Sequence, residues 1–241
     1  MMGLGTLIDI FGIIVGAILG RIFGKYLLKR HQDMLLKMCG IATMLMGLAG
    51  AMENMLSVTG NKLVAGSGLF LILCLTAGGL IGEIFEIEKN IESFGTWLKK
   101  KTGSKGDSKF VTAFVNTSLT VCIGAMAIVG AINDGLMGDY SILVAKAVLD
   151  LVLLLVMTAS LGRGCVFCAI PTLIIQGSIT FLSKLLSPYI TGNVLGNISL
   201  VGNVMVLCVG LNLVFGKKVK VANLLPGILF AIILALVPIN I

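Results

Sequence analysis

Eight apolar stretches, each long enough to cross a bilayer, take up nearly all of the chain's 241 residues, and positive charge gathers in every second gap between them. A hydrocarbon core about 30 Å thick needs roughly 20 residues of helix rising about 1.5 Å each. Residues 4–24, 36–57, 63–85, 110–133, 141–161, 165–187, 198–216 and 219–239 meet that length. The expectation is an all-α fold: a polytopic transmembrane helical bundle of about eight spans. Only 12% of residues are charged and mean hydropathy is +1.08, where a soluble domain carries about a quarter charged residues. Span 1 has no basic segment before it and no small-residue cleavage site after it, so it reads as a retained helix.

Short connections predict one transmembrane domain over 1–241. It divides into a first repeat unit at 1–90, an amphipathic interfacial linker at 84–109, spans 4 and 5 at 110–161, and a second repeat unit at 162–241. The net charge of +7 does not point to nucleic acid, because no folded module carries it. Of the 18 Lys and Arg, all but Lys62, Lys146 and Lys184 lie in the gaps after spans 1, 3, 5 and 7 or at the span ends that border them. The positive-inside bias then places both termini outside the cytoplasm. Asp134 and Asp139 fall in a gap on that outer side.

Span 1 carries Gly12, Gly16, Gly20 and Gly24, a flat stripe along one helix face. Lipid supplies no hydrophobic drive for helix association, so such a stripe should face protein and pack by close backbone approach. The same face could instead slide, gate or pair two copies as a homodimer. Gly78, Gly79 and Gly82 in span 3, with Gly124 and Gly130 in span 4, extend the small-residue surface. Between spans 3 and 4, Ile84, Ile87, Ile91, Phe94 and Leu98 recur every three or four residues, with Trp97 near the end. That spacing predicts an amphipathic helix on the cytoplasmic membrane surface.

Spans 1–3 echo spans 6–8: Gly5 matches Gly164, Lys25 matches Lys184, Leu27 matches Leu186, and Met46-Gly47-Leu48 matches Val209-Gly210-Leu211. Five crossings separate partners, so they would run in opposite directions, the inverted repeat of many secondary transporters.

A charged group at the bilayer centre costs about 2.5–3.5 kcal/mol on insertion scales, so each one needs a reason. Asp150 is the deepest acid, near the middle of span 5, and Lys146 stands one turn before it, at i,i+4 spacing. The pair is either a cation or proton site with an internal counter-ion, or a structural ion pair that never meets solute. Asp9 lies one turn into span 1, Gln176 at the middle of span 6, Asn116 in span 4 and Asn203 in span 7. Buried amides usually bond across helices, yet with Asp150 these groups suffice to line a path. Pro171 and Pro226 each remove a backbone donor, which makes span 6 a candidate broken helix lining a cavity. Glu83 is near enough to a span end to be solvated.

The six cysteines do not form a disulfide framework: Cys39, Cys74, Cys122 and Cys208 lie inside spans as small hydrophobes. Cys165 and Cys168 make one CxxC, a weak metal or redox signal without a second pair. No metal site, cofactor or catalytic residue is expected. HExxH and GxSxG are absent, so the chain does not read as an enzyme.

The segment Gly3 to Asp9, the run from Cys122 to Asp139, the Lys146 and Asp150 pair, Gln176-Gly177, and Asn223 to Pro226 resemble the bacterial membrane-protein family of unknown function typified by YdfK and YqgA. The resemblance covers essentially the whole chain, and the run in span 4 is its specific part. It implies an inner-membrane protein and a transporter, with no substrate or catalytic residue to carry over.

The residues together point to a secondary transporter of a small polar or cationic solute, coupled to protons or another ion, with its path between the two three-helix units. Asp150 and Gln176 would contact the solute, with Lys146, Asp9, Asn116 and Asn203 around them. The partners are then the lipid bilayer and a small solute or ion. A channel with the same path, or a non-transporting scaffold or signalling protein, stays open at this stage.

Overall fold

The computed structural model describes residues 3–59, 62–104, 107–122, 125–186 and 191–236. They form ten α-helices and one two-stranded hairpin: α1 Leu4–Gly24, α2 Lys29–Met55, β1 Leu56–Thr59, β2 Lys62–Ala65, α3 Gly68–Ile84, α4 Ile87–Lys101, α5 Phe110–Cys122, α6 Ala125–Met137, α7 Ser141–Leu161, α8 Ala169–Leu186, α9 Gly192–Phe215 and α10 Pro226–Leu236. Short 3-10 turns, Arg163–Cys168 and Val221–Leu224, lead into α8 and α10.

The all-α membrane class stands, but the span count is lower than eight. Among the described residues, five helices are long and apolar enough to cross a bilayer, or up to seven if two bent pairs each count as one. The pairs are α3 with α4, bent by 54°, and α5 with α6, bent by 72°. Three expectations change as a result. The antiparallel hairpin pairs Leu56 with Ala65 and Thr59 with Lys62, so it takes up the start of span 3. Span 4 is two helices of 13 residues each. Span 8 reduces to a 3-10 turn and the 11 residues of α10; residues 237–239 and Gly124 lie outside the described residues.

Span 6, expected to break at Pro171, does not. α8 runs uninterrupted from Ala169, and Pro171 stands in its first turn, where a missing N–H leaves no helix bond unmade. Pro226 likewise opens α10. Both prolines mark helix starts after 3-10 turns.

Exposure is inverted relative to a soluble protein. Leu7, Phe11, Ile18 and Ile22 of α1 are exposed, while Gly5, Asp9, Gly12, Gly16 and Gly20 on its other face are buried. The glycine stripe meets α7 turn by turn. A methyl added at Gly12 would stand 2.7 Å from the Ala147 carbonyl oxygen, and one at Gly24 2.9 Å from the Ala159 Cα. At Gly16 and Gly20 it would collide with the backbone of Leu151 and Leu155. Residue numbers rise together along both helices, so α1 and α7 run parallel. The stripe is therefore spent inside the chain rather than offered to a second copy.

Other glycines set the remaining pairs. Gly40 meets Leu213 and Val214 while Gly47 meets Asn203 and Leu207, so α2 and α9 are antiparallel. Gly78 packs on Gly227 and Gly82 on the Asn223 carbonyl, so α3 and α10 are antiparallel too. Gly164 packs on Phe110 and Gly135 on Thr180 and Ser183, so the bent α5–α6 pair advances in the same sense as residues 164–183. α4 folds back over α5, with Phe94 stacked on Trp97 and tilted against Phe114. Glu83 is exposed, as expected near a span end, and accepts hydrogen bonds from Asn223 (2.6 Å) and Lys220. Beside it, Lys217 bridges Glu88 and Glu92 at 2.6 Å each.

Candidate functional site

Parallel packing over the glycine stripe brings α1 and α7 so close that their polar residues must meet. Asp9 faces Lys146, whose Nζ donates to Asp9 Oδ2 at 2.8 Å. The same ammonium donates to Asp150 Oδ2 one turn further along α7. From α8, Gln176 Nε2 donates to Asp9 Oδ2 at 2.8 Å. Three helices thus converge on four side chains, all buried: Asp9 and Gln176 have no exposure, Lys146 6% and Asp150 7%. The sequence singled out all four, but it paired only Lys146 with Asp150.

The cluster does not balance. Two carboxylates share one ammonium, which leaves a net negative charge in an apolar interior. Buried charge without compensation is strongly unfavourable, so a proton or a bound cation must make up the difference. Two acceptors of the cluster are unused: among the described residues, the buried Asp9 Oδ1 and Gln176 Oε1 have no hydrogen-bond partner. Asp150 is the accessible edge, keeping 10% of its side chain exposed where Asp9 keeps none.

α8 carries more polar groups than Gln176 alone. Thr172, Gln176, Thr180 and Ser183 recur every three or four residues, Cys168 in the turn before α8 continues the spacing, and every one is buried. Thr172 shares a contact with Cys122 of α5 at 3.3 Å, and Thr180 one with Thr6 of α1 at 3.5 Å. One face of this helix is therefore a polar ladder from end to end. Its spacing was visible in the sequence, but Thr, Ser and Cys are cheap enough in an apolar helix to pass unremarked.

Asp134 was misplaced by the sequence. It is not a solvated loop acid: it lies in α6 with no exposure, and its Oδ2 accepts the Gly5 N–H at 3.0 Å. Asn203 does not reach the cluster, since its amide donates to Ser199 (3.0 Å) within α9 and packs on Gly50 of α2. Asn116 is half-buried on α5, where its main-chain carbonyl accepts the Thr120 hydroxyl (2.8 Å), and no described hydrogen bond joins it to the cluster. Cys165 and Cys168 are free, buried thiols in the turn before α8.

A cavity of about 410 Å³ lies among α4, α5, α8, α9 and α10. Its wall is almost wholly apolar, including Phe94, Phe114, Ile174 and Ile228, with Asn90, Ser118 and Cys122 among the lining residues. None of the four clustered residues lines it.

A model for DUF554, described as a protein of unknown function, matches residues 4–236. The chain belongs to the DUF554 family. This DUF554 protein is similar along almost its full length to the uncharacterized membrane protein YdfK of Bacillus subtilis (strain 168), 29% identical over 225 residues that are 93% of this chain and 92% of YdfK. It is similar also to the uncharacterized protein YqgA of Escherichia coli (strain K12), 28% identical over 234 residues, 95% of each chain. No solved structure matches it. Relatives, family and helix composition agree that this DUF554 member is a multi-pass membrane protein.

Proposed function

We propose that the protein is a secondary transporter of a small polar or cationic solute across the bacterial inner membrane, coupled to a proton or another ion. The observation that carries this reading is the unbalanced cluster of Asp9, Lys146, Asp150 and Gln176. A purely structural ion pair needs equal charges and satisfied acceptors. This one has a spare carboxylate and two unused oxygens, so its occupancy by a proton or cation can change. Lys146 acts as an internal cation that an arriving charge displaces or relieves. Antiparallel α2 with α9 and α3 with α10, and the meeting of α1 with α8 at Asp9 and Gln176, support reading spans 1–3 and 6–8 as inverted counterparts around this site.

One observation favours a second reading. Both carboxylates already hold Lys146, and the apolar cavity does not touch them. A non-transporting membrane scaffold could use the cluster only to clamp α1, α7 and α8 together.

Reconstituted vesicles holding an internal pH dye decide between them. A panel of inorganic cations, amines and amino acids is added outside, and the lumenal pH is followed. Saturable, solute-driven proton movement that Asp150→Asn abolishes, with thermal unfolding unchanged, supports the transporter. An unchanged flux in Asp150→Asn removes Asp150 from the mechanism. No flux with any solute in the wild type leaves the clamp. Counterflow of a responding solute separates a carrier from a channel, which shows none.

A further inference from the structure

A second polar station stands one helical turn from the first. Asp9 and Gln176 meet at one level; Thr6, three residues earlier on α1, and Thr180, four residues later on α8, meet at the next. The step is about 4.5 Å along α1 and about 6 Å along α8. Asp134 of α6 joins this second level through its bond to Gly5, the neighbour of Thr6, and Ser183 follows Thr180 by three residues on α8.

Part of Asp134 has an evident structural task. Gly3 precedes α1 with a left-handed backbone and provides no side-chain cap, and Asp134 Oδ2 accepts the Gly5 N–H in its place. The rest has none. Asp134 Oδ1 and Ser183 Oγ are both fully buried, and among the described residues neither has a hydrogen-bond partner. α6 passes so close to α8 at Gly135 that a methyl there would collide with the Ser183 hydroxyl and the Thr180 carbonyl. That close approach sets the unpartnered hydroxyl beside the residue that follows Asp134. The Thr6 and Thr180 hydroxyls stand 3.5 Å apart, beyond the usual O–H···O range of about 2.5–3.0 Å. Their lone pairs are therefore largely uncommitted.

We propose that Asp134 Oδ1, Ser183 Oγ and the hydroxyls of Thr6 and Thr180 form a binding site for a hard monovalent cation of the sodium class. Every donor is oxygen, the ligand type that hard cations take. One carboxylate neutralises one positive charge; a divalent ion would leave a charge buried and unpaired. No group of three or more His, Cys, Asp or Glu that could hold a metal ion occurs among the described residues, which agrees with a site of one acid and several hydroxyls. As the site of a coupling ion this rests on the transporter reading; as a site of equilibrium binding it stands alone.

Thermal unfolding of the purified full chain in detergent tests it at constant ionic strength, with choline chloride replaced stepwise by sodium chloride. The expected result is a saturating rise in midpoint with sodium. The rise should be lost in Asp134→Asn, need at least tenfold more sodium in Ser183→Ala, and persist in Asp150→Asn. Ser183→Ala keeps the Asp134 bond to Gly5, so it remains readable if Asp134→Asn does not fold; Thr180→Val serves as a second such variant. Equal midpoints in sodium and choline overturn the site, as does a sodium response that Ser183→Ala and Thr180→Val leave intact. A response to calcium alone overturns the charge argument. Sodium binding without any solute flux would defeat the transporter reading while leaving the site in place.

Discussion

Gln176 donates to Asp9 at 2.8 Å across 167 positions of sequence, and neither side chain has any exposure. The amide completes what the lysine begins. Asp9 Oδ2 takes a proton donor from α7 and another from α8, so three helices are tied at one oxygen. Loss of different members of this cluster should have opposite consequences.

Lys146→Met removes the only cation and leaves two buried carboxylates facing each other. Breaking a buried pair from one side costs about 3–5 kcal/mol, and the variant should show a large fall in thermal midpoint or accumulate poorly. Asp9→Asn removes the surplus charge and keeps an acceptor for both donors, so its midpoint should stay near or above the wild type. Equal losses in both variants would contradict the charge count.

Gly16→Ala places a methyl into the Leu151 backbone and must push α1 off α7. Overpacking of this kind costs about 1–3 kcal/mol. Gly177→Ala in α8 meets nothing within 4 Å and should instead gain up to about 1 kcal/mol of helix propensity. Unfolding of the two variants in one detergent gives the comparison directly.

Asn203→Ala should lower stability by about 0.5–3 kcal/mol, the common range for a single substitution, because its amide packs on Gly50 at the α2–α9 contact and donates to Ser199 within α9. It should leave solute and sodium responses unchanged. A change in either would return Asn203 to the path.

Lys217 and Lys220 join the segment after α9 to α3 and α4. Burial pulls the Lys217 ammonium down, but its hydrogen bonds to Glu88 and Glu92 more than reverse this, and the net shift is upward. The hydrogen bond to Glu83 raises Lys220. A raised folded value means the stabilisation is complete below the unfolded lysine value, about 10.4, and is lost as pH climbs through the folded one. Fluorescence of Trp97, the single tryptophan and a residue of α4, should report a midpoint that falls as pH rises above the unfolded lysine value of about 10.4. Lys217→Arg, charged throughout that window, should flatten the fall.

Much of the site was legible before any coordinates. An acid, a lysine and an amide deep in apolar helices are costly, so Asp9, Lys146, Asp150 and Gln176 stand out against their neighbours. Local spacing put Lys146 on Asp150 because residues four apart share a helix face. Asp134 was missed because an acid near a span end looks solvated, and only the crossing of α6 under α1 buries it. Pro171 misled because a proline signals a missing donor without saying whether the helix has started.

What the chain alone determined is its solvent: runs of apolar residues of bilayer length settle the helical membrane class through transfer free energy, a property of each segment by itself. Which faces meet is a property of pairs. Backbone approach at Gly12, Gly16, Gly20 and Gly24 set α1 parallel to α7, and that contact carried Asp9 to a lysine 137 positions away. No local propensity encodes such a meeting, because its energy exists only once both surfaces are in place.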